Sequence, residues 1–271
     1  MMQSQNNGSG AKLSERLSAL AAWVPQGARF ADIGTDHALL PVYLAEAGRV
    51  KSAVAGDVNK GPVEAARRQV ASAGLNDIIS VRQGDGLTVL APGEVDTVCI
   101  AGMGGSLMVR LLNQAGERLD GVRTLILSPH VAEDQVRHWL VGHAYVLEGE
   151  RLIEEDGEIY TVLRAVQADR QEADRRNGEL YDPSGLGFKV PAASAIPQEL
   201  LYEMGPLLLR SSDEAFRRKW LAEIAKRETI IGRLRLSTGE EAVRKAKEWE
   251  ETIRMLKEVL ACWPAERLSS N

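Results

Sequence analysis

Phe30-Ala31-Asp32-Ile33-Gly34-Thr35-Asp36-His37 decides the reading of this chain. Apolar residues that lead into an acid, a single glycine and a second acid describe a buried strand, a tight turn and the start of a helix. In an open parallel sheet that turn lies at the carboxyl end of the first strand, where backbone N–H groups and side chains meet small ligands. Outward from it, strands and helices alternate. An amphipathic helix over 13–24 precedes a strand at 29–33, and Pro41 marks the first turn of the next helix. Strands follow at 52–57, 78–82, 97–101 and 125–128, with helices at 62–73, through 113 and to 142 between and after them. Two more strands, 146–150 and 159–166, close the domain as a hairpin. The expected architecture is α/β: a Rossmann-like, mostly parallel sheet of seven strands. Every strand-to-helix turn falls on one edge of it.

The chemistry of those turns separates two ligand classes. A dinucleotide fingerprint needs three glycines, so that the backbone approaches a pyrophosphate. Here Asp36 and Leu39 stand where the second and third would be. A turn lined by Asp32 and Asp36 repels a pyrophosphate and suits a ligand with ammonium and sulfonium cations, such as S-adenosylmethionine. Asp57 ends the second strand, 25 positions after Asp32, where an acid hydrogen-bonds ribose hydroxyls in doubly wound folds. Asp85, between Gly84 and Gly86, can accept from an adenine amine. Each acid alone also reads as a helix cap or a turn residue. Together with Gly34, His37, Gly86 and Ala101 they make the predicted cofactor set.

Composition permits this reading. The 271 residues hold 44% hydrophobic and 26% charged residues, enough for one full α/β domain and a smaller unit. No apolar run reaches membrane-span length, and Cys99 and Cys262 form no metal or redox spacing. We therefore expect a cytoplasmic protein without a metal. The net charge of −5 is uneven: residues 1–166 hold 15 basic against 20 acidic side chains, and 167–271 hold 18 of each. Within 210–235 eight basic residues face four acidic ones, a surface of the kind phosphate contacts require. A solvated helix face with internal ion pairs is the plainer reading.

The motifs Ala31-Asp32-Ile33-Gly34-Thr35-Asp36-His37, Gln83-Gly84-Asp85-Gly86-Leu87 and Ile100-Ala101-Gly102-Met103-Gly104-Gly105 resemble those of the TrmK family, bacterial tRNA (adenine-22-N1)-methyltransferases. Leu13-Ser14-Glu15-Arg16-Leu17, Gly205-Pro206-Leu207-Leu208 and Phe216-Arg217-Arg218-Lys219-Trp220 extend the resemblance over nearly the whole chain. It implies a class I methyltransferase fold, S-adenosylmethionine as donor, tRNA as partner and a C-terminal coiled-coil-like helical hairpin. It also implies a phosphate contact by Arg16, which by default is a solvated surface charge; the basic run Arg217, Arg218 and Lys219 is our candidate for gripping the tRNA backbone. After the fifth strand this chain has Ser128-Pro129-His130 where the family pattern is a Gln-Pro-Asn type of turn.

N1 of adenine carries a free lone pair at neutral pH, so no strong general base is required and none is evident. Gly102, Met103, Gly104 and Gly105 are the expected catalytic segment, small enough to admit a base close to the methyl group. Tight helix packing is the other use of such glycines. His130 is a further candidate. The expected organisation is a disordered tail at 1–12, the methyltransferase domain at 13–166, a linker at 167–197 and helices at 198–263. A monomer is expected, with a dimer through the helical hairpin as the alternative. Methyl transfer to a small molecule or protein, and a non-catalytic interaction protein that keeps the fold, are the rival functions.

Overall fold

The computed structural model describes residues 13–188, 196–211, 214–236 and 239–262. The expected tail at 1–12 lies outside the described residues. The chain divides into two compact units, 1–173 and 174–271.

The first unit opens with α1 (Glu15–Trp23), which Ser14 caps by accepting the Leu17 N–H on its side-chain oxygen (3.3 Å). β1 (Ala28–Ile33) is almost wholly buried, as a central parallel strand must be. It is followed by α2 (Leu39–Glu46), β2 (Val50–Asp57), α3 (Lys60–Ser72) and β3 (Ile79–Gln83). Then come β4 (Thr97–Met103), α4 (Gly105–Ala115), β5 (Thr124–Pro129) and α5 (Glu133–Gly142). β6 (Tyr145–Glu155) and β7 (Glu158–Gln167) form the closing hairpin, longer than the two short strands expected because their pairing continues to the Asp156-Gly157 turn.

The sheet order is β3-β2-β1-β4-β5-β7-β6, with β7 antiparallel to both of its neighbours. Strand order reverses between β1 and β4, which places a crevice at their carboxyl ends. Phe30, Leu20, Leu40, Leu44 and Cys99 pack in the core beneath that edge.

The stretch expected to be a linker is not structureless. It holds α6 (Arg170–Leu180) and a 3-10 turn at Pro183–Leu186, whose Leu186 is buried. In the second unit follow α7 (Gln198–Met204), α8 (Pro206–Ser211), α9 (Glu214–Leu234) and α10 (Glu240–Ala261). α9 buries Phe216, Trp220, Ile224 and Ile231, and α10 buries Ala246, Ile253, Leu256, Val259 and Leu260. Ion pairs Arg235–Glu250 (2.7 Å) and Lys257–Glu228 (2.6 Å) cross between them and fix the antiparallel register. Near the start of α10 Val243 is 57% exposed, and Trp249 is only half-buried. The apolar seam between the two helices is therefore narrow at the start of α10.

Candidate active site

A cavity of about 740 Å³ opens at the carboxyl ends of β1, β2 and β4. Of the predicted residues, Asp32, Gly34, Asp36, His37, Asp57, Asp85, Gly86, Ala101, Gly102 and Met103 all line it, as does Arg16. Gly104, Gly105 and His130 do not.

Asp32 is the electrostatic centre of this cavity. It is 6% exposed and accepts a hydrogen bond from the Thr35 hydroxyl (2.7 Å). Burial pushes its carboxyl up to about 6; the Thr35 bond and the Arg16 charge oppose that rise, and the Asp57 charge adds to it. Asp57 is half-buried and accepts from the Asn59 N–H (2.7 Å) on one oxygen. Asp36 sits at φ 49° in the left-handed region, its side chain 73% exposed and 3.6 Å from His37 Nε2. Backbone strain of this kind is concentrated where a turn must aim its groups at a ligand. Gly86 also adopts positive φ (53°), and a Cβ there would fall 2.6 Å from Leu111 Cδ2. Only glycine lets the turn after β3 close down on α4.

The glycine-rich turn after β4 has two parts with different jobs. Gly102 is exposed, with open space around it, as an approach route requires. Gly105 is buried: a Cβ there would meet Ala132 O at 2.2 Å and Val131 O at 2.9 Å. Gly105 N–H donates to Val131 O (2.8 Å), and His130 N–H donates to Met103 O (3.1 Å). The turn after β4 and the turn after β5 are thus stitched together. Of the two uses expected for these glycines, Gly105 serves packing: the absent side chain lets two backbone segments touch. Gly104 is half-buried and caps α4, with Val131 over it at 3.5 Å from a notional Cβ. His130 is exposed outside the cavity, its ring edge-on to Tyr160 at 5.4 Å.

Arg16 is not a free surface charge either. Its guanidinium lies 4.9 Å from the Tyr160 ring centroid and 3.7 Å from Glu155. Burial pushes the Glu155 carboxyl up, but the Arg16 N–H, the Ser14 hydroxyl and the Arg16 charge outweigh it and hold the group below its ordinary range. Sequence reasoning missed Thr35, Leu107, Arg110 and Leu111, all cavity residues. Leu107, Arg110 and Leu111 share one face of α4 at i, i+3, i+4 spacing, a signal that was legible once α4 was placed beside the glycine-rich turn.

Among the basic residues of α9, several are occupied within the unit. Lys226 pairs with Glu223 (3.6 Å), and Arg227 pairs with Glu223 (2.9 Å) and Glu203. Arg217 and Arg218 are exposed and Lys219 is half-buried. The basic run thus lies at the start of the helix.

Among the described residues no helix is long and apolar enough to cross a membrane, and no cluster of His, Cys, Asp and Glu could hold a metal ion. A family described as a methyltransferase domain matches residues 13–163. The tRNA (adenine(22)-N(1))-methyltransferase of Bacillus subtilis is 38% identical over 250 residues, 92% of this chain and 97% of that protein. The crystal structure of B. subtilis TrmK, an M1A22 tRNA methyltransferase, superposes with a TM-score of 0.79 at 37% identity, covering 92% of this chain and 99% of that one. A candidate tRNA (m1A22) methyltransferase of Streptococcus pneumoniae, solved in complex with S-adenosyl-L-methionine, gives 0.73 at 32% identity, covering 92% and 100%. With its sheet order, its cavity and these likenesses, the chain belongs to the TrmK family of tRNA (adenine(22)-N(1))-methyltransferases.

Proposed function

We propose that this protein methylates N1 of adenine 22 in tRNA, with S-adenosylmethionine as methyl donor. The observation that carries this reading is the acidic cavity at the reversal of strand order, in a chain of this family. The cavity suits the donor on its own chemistry. A buried carboxylate with a raised pKa and two further acids at successive strand ends complement a cationic ligand rich in hydroxyls. Gly86 lets the turn that carries Asp85 close on Leu111 at the cavity wall.

Bound there, S-adenosylmethionine supplies a methyl electrophile whose bonding pair leaves with sulfur. Asp32 and Asp36 face its positive charges, Asp57 serves the ribose hydroxyls and Asp85 the adenine amine. Arg16, at the cavity wall and close enough to Asp32 to lower its pKa, serves the donor's carboxylate rather than a tRNA phosphate. Gly102 leaves the approach open for the target base, which has to be swung out of its stack. No residue has to abstract a proton before N1 attacks. Holding nucleophile and methyl in line can then contribute roughly 7–11 kcal/mol in favourable cases.

Arg217, Arg218 and Lys219 supply phosphate contacts, and the protein acts in the cytoplasm. The long helices α9 and α10 satisfy each other's apolar faces within one chain, which supports a monomer. Incubation of unmodified bacterial tRNA with labelled S-adenosylmethionine, followed by nucleoside mapping, tests the whole reading. One 1-methyladenosine at position 22 is expected; a different product, or none, would overturn it.

A further inference from the structure

The β6–β7 hairpin extends well past the body of the sheet. β7 pairs with β5 only from Leu163 to Val166, whereas β6 and β7 remain paired to Glu155 and Glu158. The overhanging half carries two side chains that reach α1. Glu155 accepts the Arg16 N–H (3.1 Å), which satisfies one of the donors that the first turn of a helix leaves open. Tyr160, paired across the hairpin with Ile153, lies with its ring under the Arg16 guanidinium and against the edge of His130. Glu155 and Tyr160 themselves stay outside the cavity.

Tyr160 therefore touches two residues with different allegiances. Arg16 lines the cavity and acts electrostatically on Asp32. His130 is tied through its backbone N–H to Met103 O, in the turn where the base must approach. A guanidinium on a long flexible chain can reach many positions, and an aromatic face restricts it to a plane. The same ring also backs the turn after β5.

We propose that Tyr160 is a positioning residue for methyl transfer: it holds the Arg16 guanidinium at the donor end and seats the His130 turn at the acceptor end. The spacing between the two halves of the reaction is then set by one ring on the hairpin. The inference rests on the reading of the cavity as the S-adenosylmethionine site. It assigns a further role to the hairpin overhang, which also packs on α1 and, through the Thr161 hydroxyl, donates to Glu133 of α5 (3.1 Å).

Tyr160→Leu keeps apolar bulk in the strand and removes the π face; Tyr160→Phe keeps the face and removes the hydroxyl. S-adenosylmethionine binding is measured by calorimetry without tRNA, and kcat is measured with tRNA at saturating donor. Tyr160→Leu is expected to weaken donor binding about tenfold and to lower kcat about tenfold as well, because both ends of the reaction lose their support. Tyr160→Phe is expected to stay within twofold of wild type on both. In an Arg16→Ala background, Tyr160→Leu should cost donor affinity little more, because the partner it holds is gone. Tyr160→Met takes its place if Tyr160→Leu does not fold.

Losses by Tyr160→Phe as large as those by Tyr160→Leu would overturn the inference. So would wild-type behaviour of Tyr160→Leu, or equal costs with and without Arg16. Failure of the wild-type protein to bind the donor would instead remove the cofactor reading on which the inference stands.

Discussion

The turns along the carboxyl edge of the sheet are built in two opposite ways. Those after β1, β2 and β3 present carboxylates to the cavity, and Asp32 and Asp36 pay for their positions in burial and backbone strain. Those after β4 and β5 present mainly backbone, locked by the hydrogen bonds of Gly105 N–H to Val131 O and His130 N–H to Met103 O. On the proposed function the first group does electrostatic work on a cationic donor. The second, on the same proposal, does geometric work and keeps an approach path of fixed shape. This division suits a reaction whose nucleophile arrives with its lone pair free.

The largest effect is expected at the geometric turns. Gly105→Ala would drive a Cβ into the Ala132 carbonyl, and neither backbone segment can yield without breaking the stitch. We expect destabilisation of about 3 kcal/mol and a rate loss of about a hundredfold in the folded fraction. Thermal melting and single-turnover methylation check this; a variant with normal melting and normal rate would dissolve the distinction between the two groups of turns.

The electrostatic turns should respond next. Asp32→Asn is expected to weaken S-adenosylmethionine binding about tenfold or more at pH 8, as read by calorimetry. The pH dependence sharpens the point, because two observables move in opposite directions. The Asp32 carboxyl lies at about 6 in the fold against 3.8 as its ordinary value. Between those values the folded protein holds more protons than the unfolded chain, so the stability of the donor-free protein falls as pH rises through that window. The loss amounts to about 3 kcal/mol and is complete above about pH 6. Donor affinity should do the reverse, rising with pH by up to about tenfold per unit until the carboxylate is ionised. Asp32→Asn should flatten both curves; an unchanged pH profile in that variant would assign the titration to another group.

A third, smaller effect concerns the helical unit. Replacing Arg217, Arg218 and Lys219 with Glu should weaken tRNA binding several-fold at moderate salt and flatten the plot of log affinity against log salt, by about one unit of slope for each phosphate no longer neutralised. Filter binding over a salt series reads this directly. Identical slopes would move the tRNA-binding surface elsewhere on the protein. The smallest change is expected from Asp36→Asn. With its side chain 73% exposed, the charge is largely screened, and donor affinity should fall by less than about threefold. A loss as large as that of Asp32→Asn would mean that burial is not what gives Asp32 its weight.

Much of the site was legible in the primary sequence because turn chemistry is local. Asp32, Asp36, Asp57 and Asp85 each end or follow a strand, and a parallel sheet brings strand ends to one edge whatever the side chains between them do. Thr35 sat inside the quoted motif and could have been read as the partner of Asp32. His130 follows the fifth strand as the acids follow theirs, yet its side chain lies outside the cavity against Tyr160, a placement that turn chemistry alone does not report.

The sequence by itself determined the alternation of strands and helices, the acidic lining of the cavity and the family, since each depends on residue types at short spacing. Only the tertiary structure decided that Gly105 serves packing, that Arg16 faces the cavity and that the long hairpin reaches α1. Those outcomes depend on partners remote in the chain: Ala132 for Gly105, and Glu155 and Tyr160 for Arg16. Periodicity reports which face of an element is buried, but not which distant segment covers it.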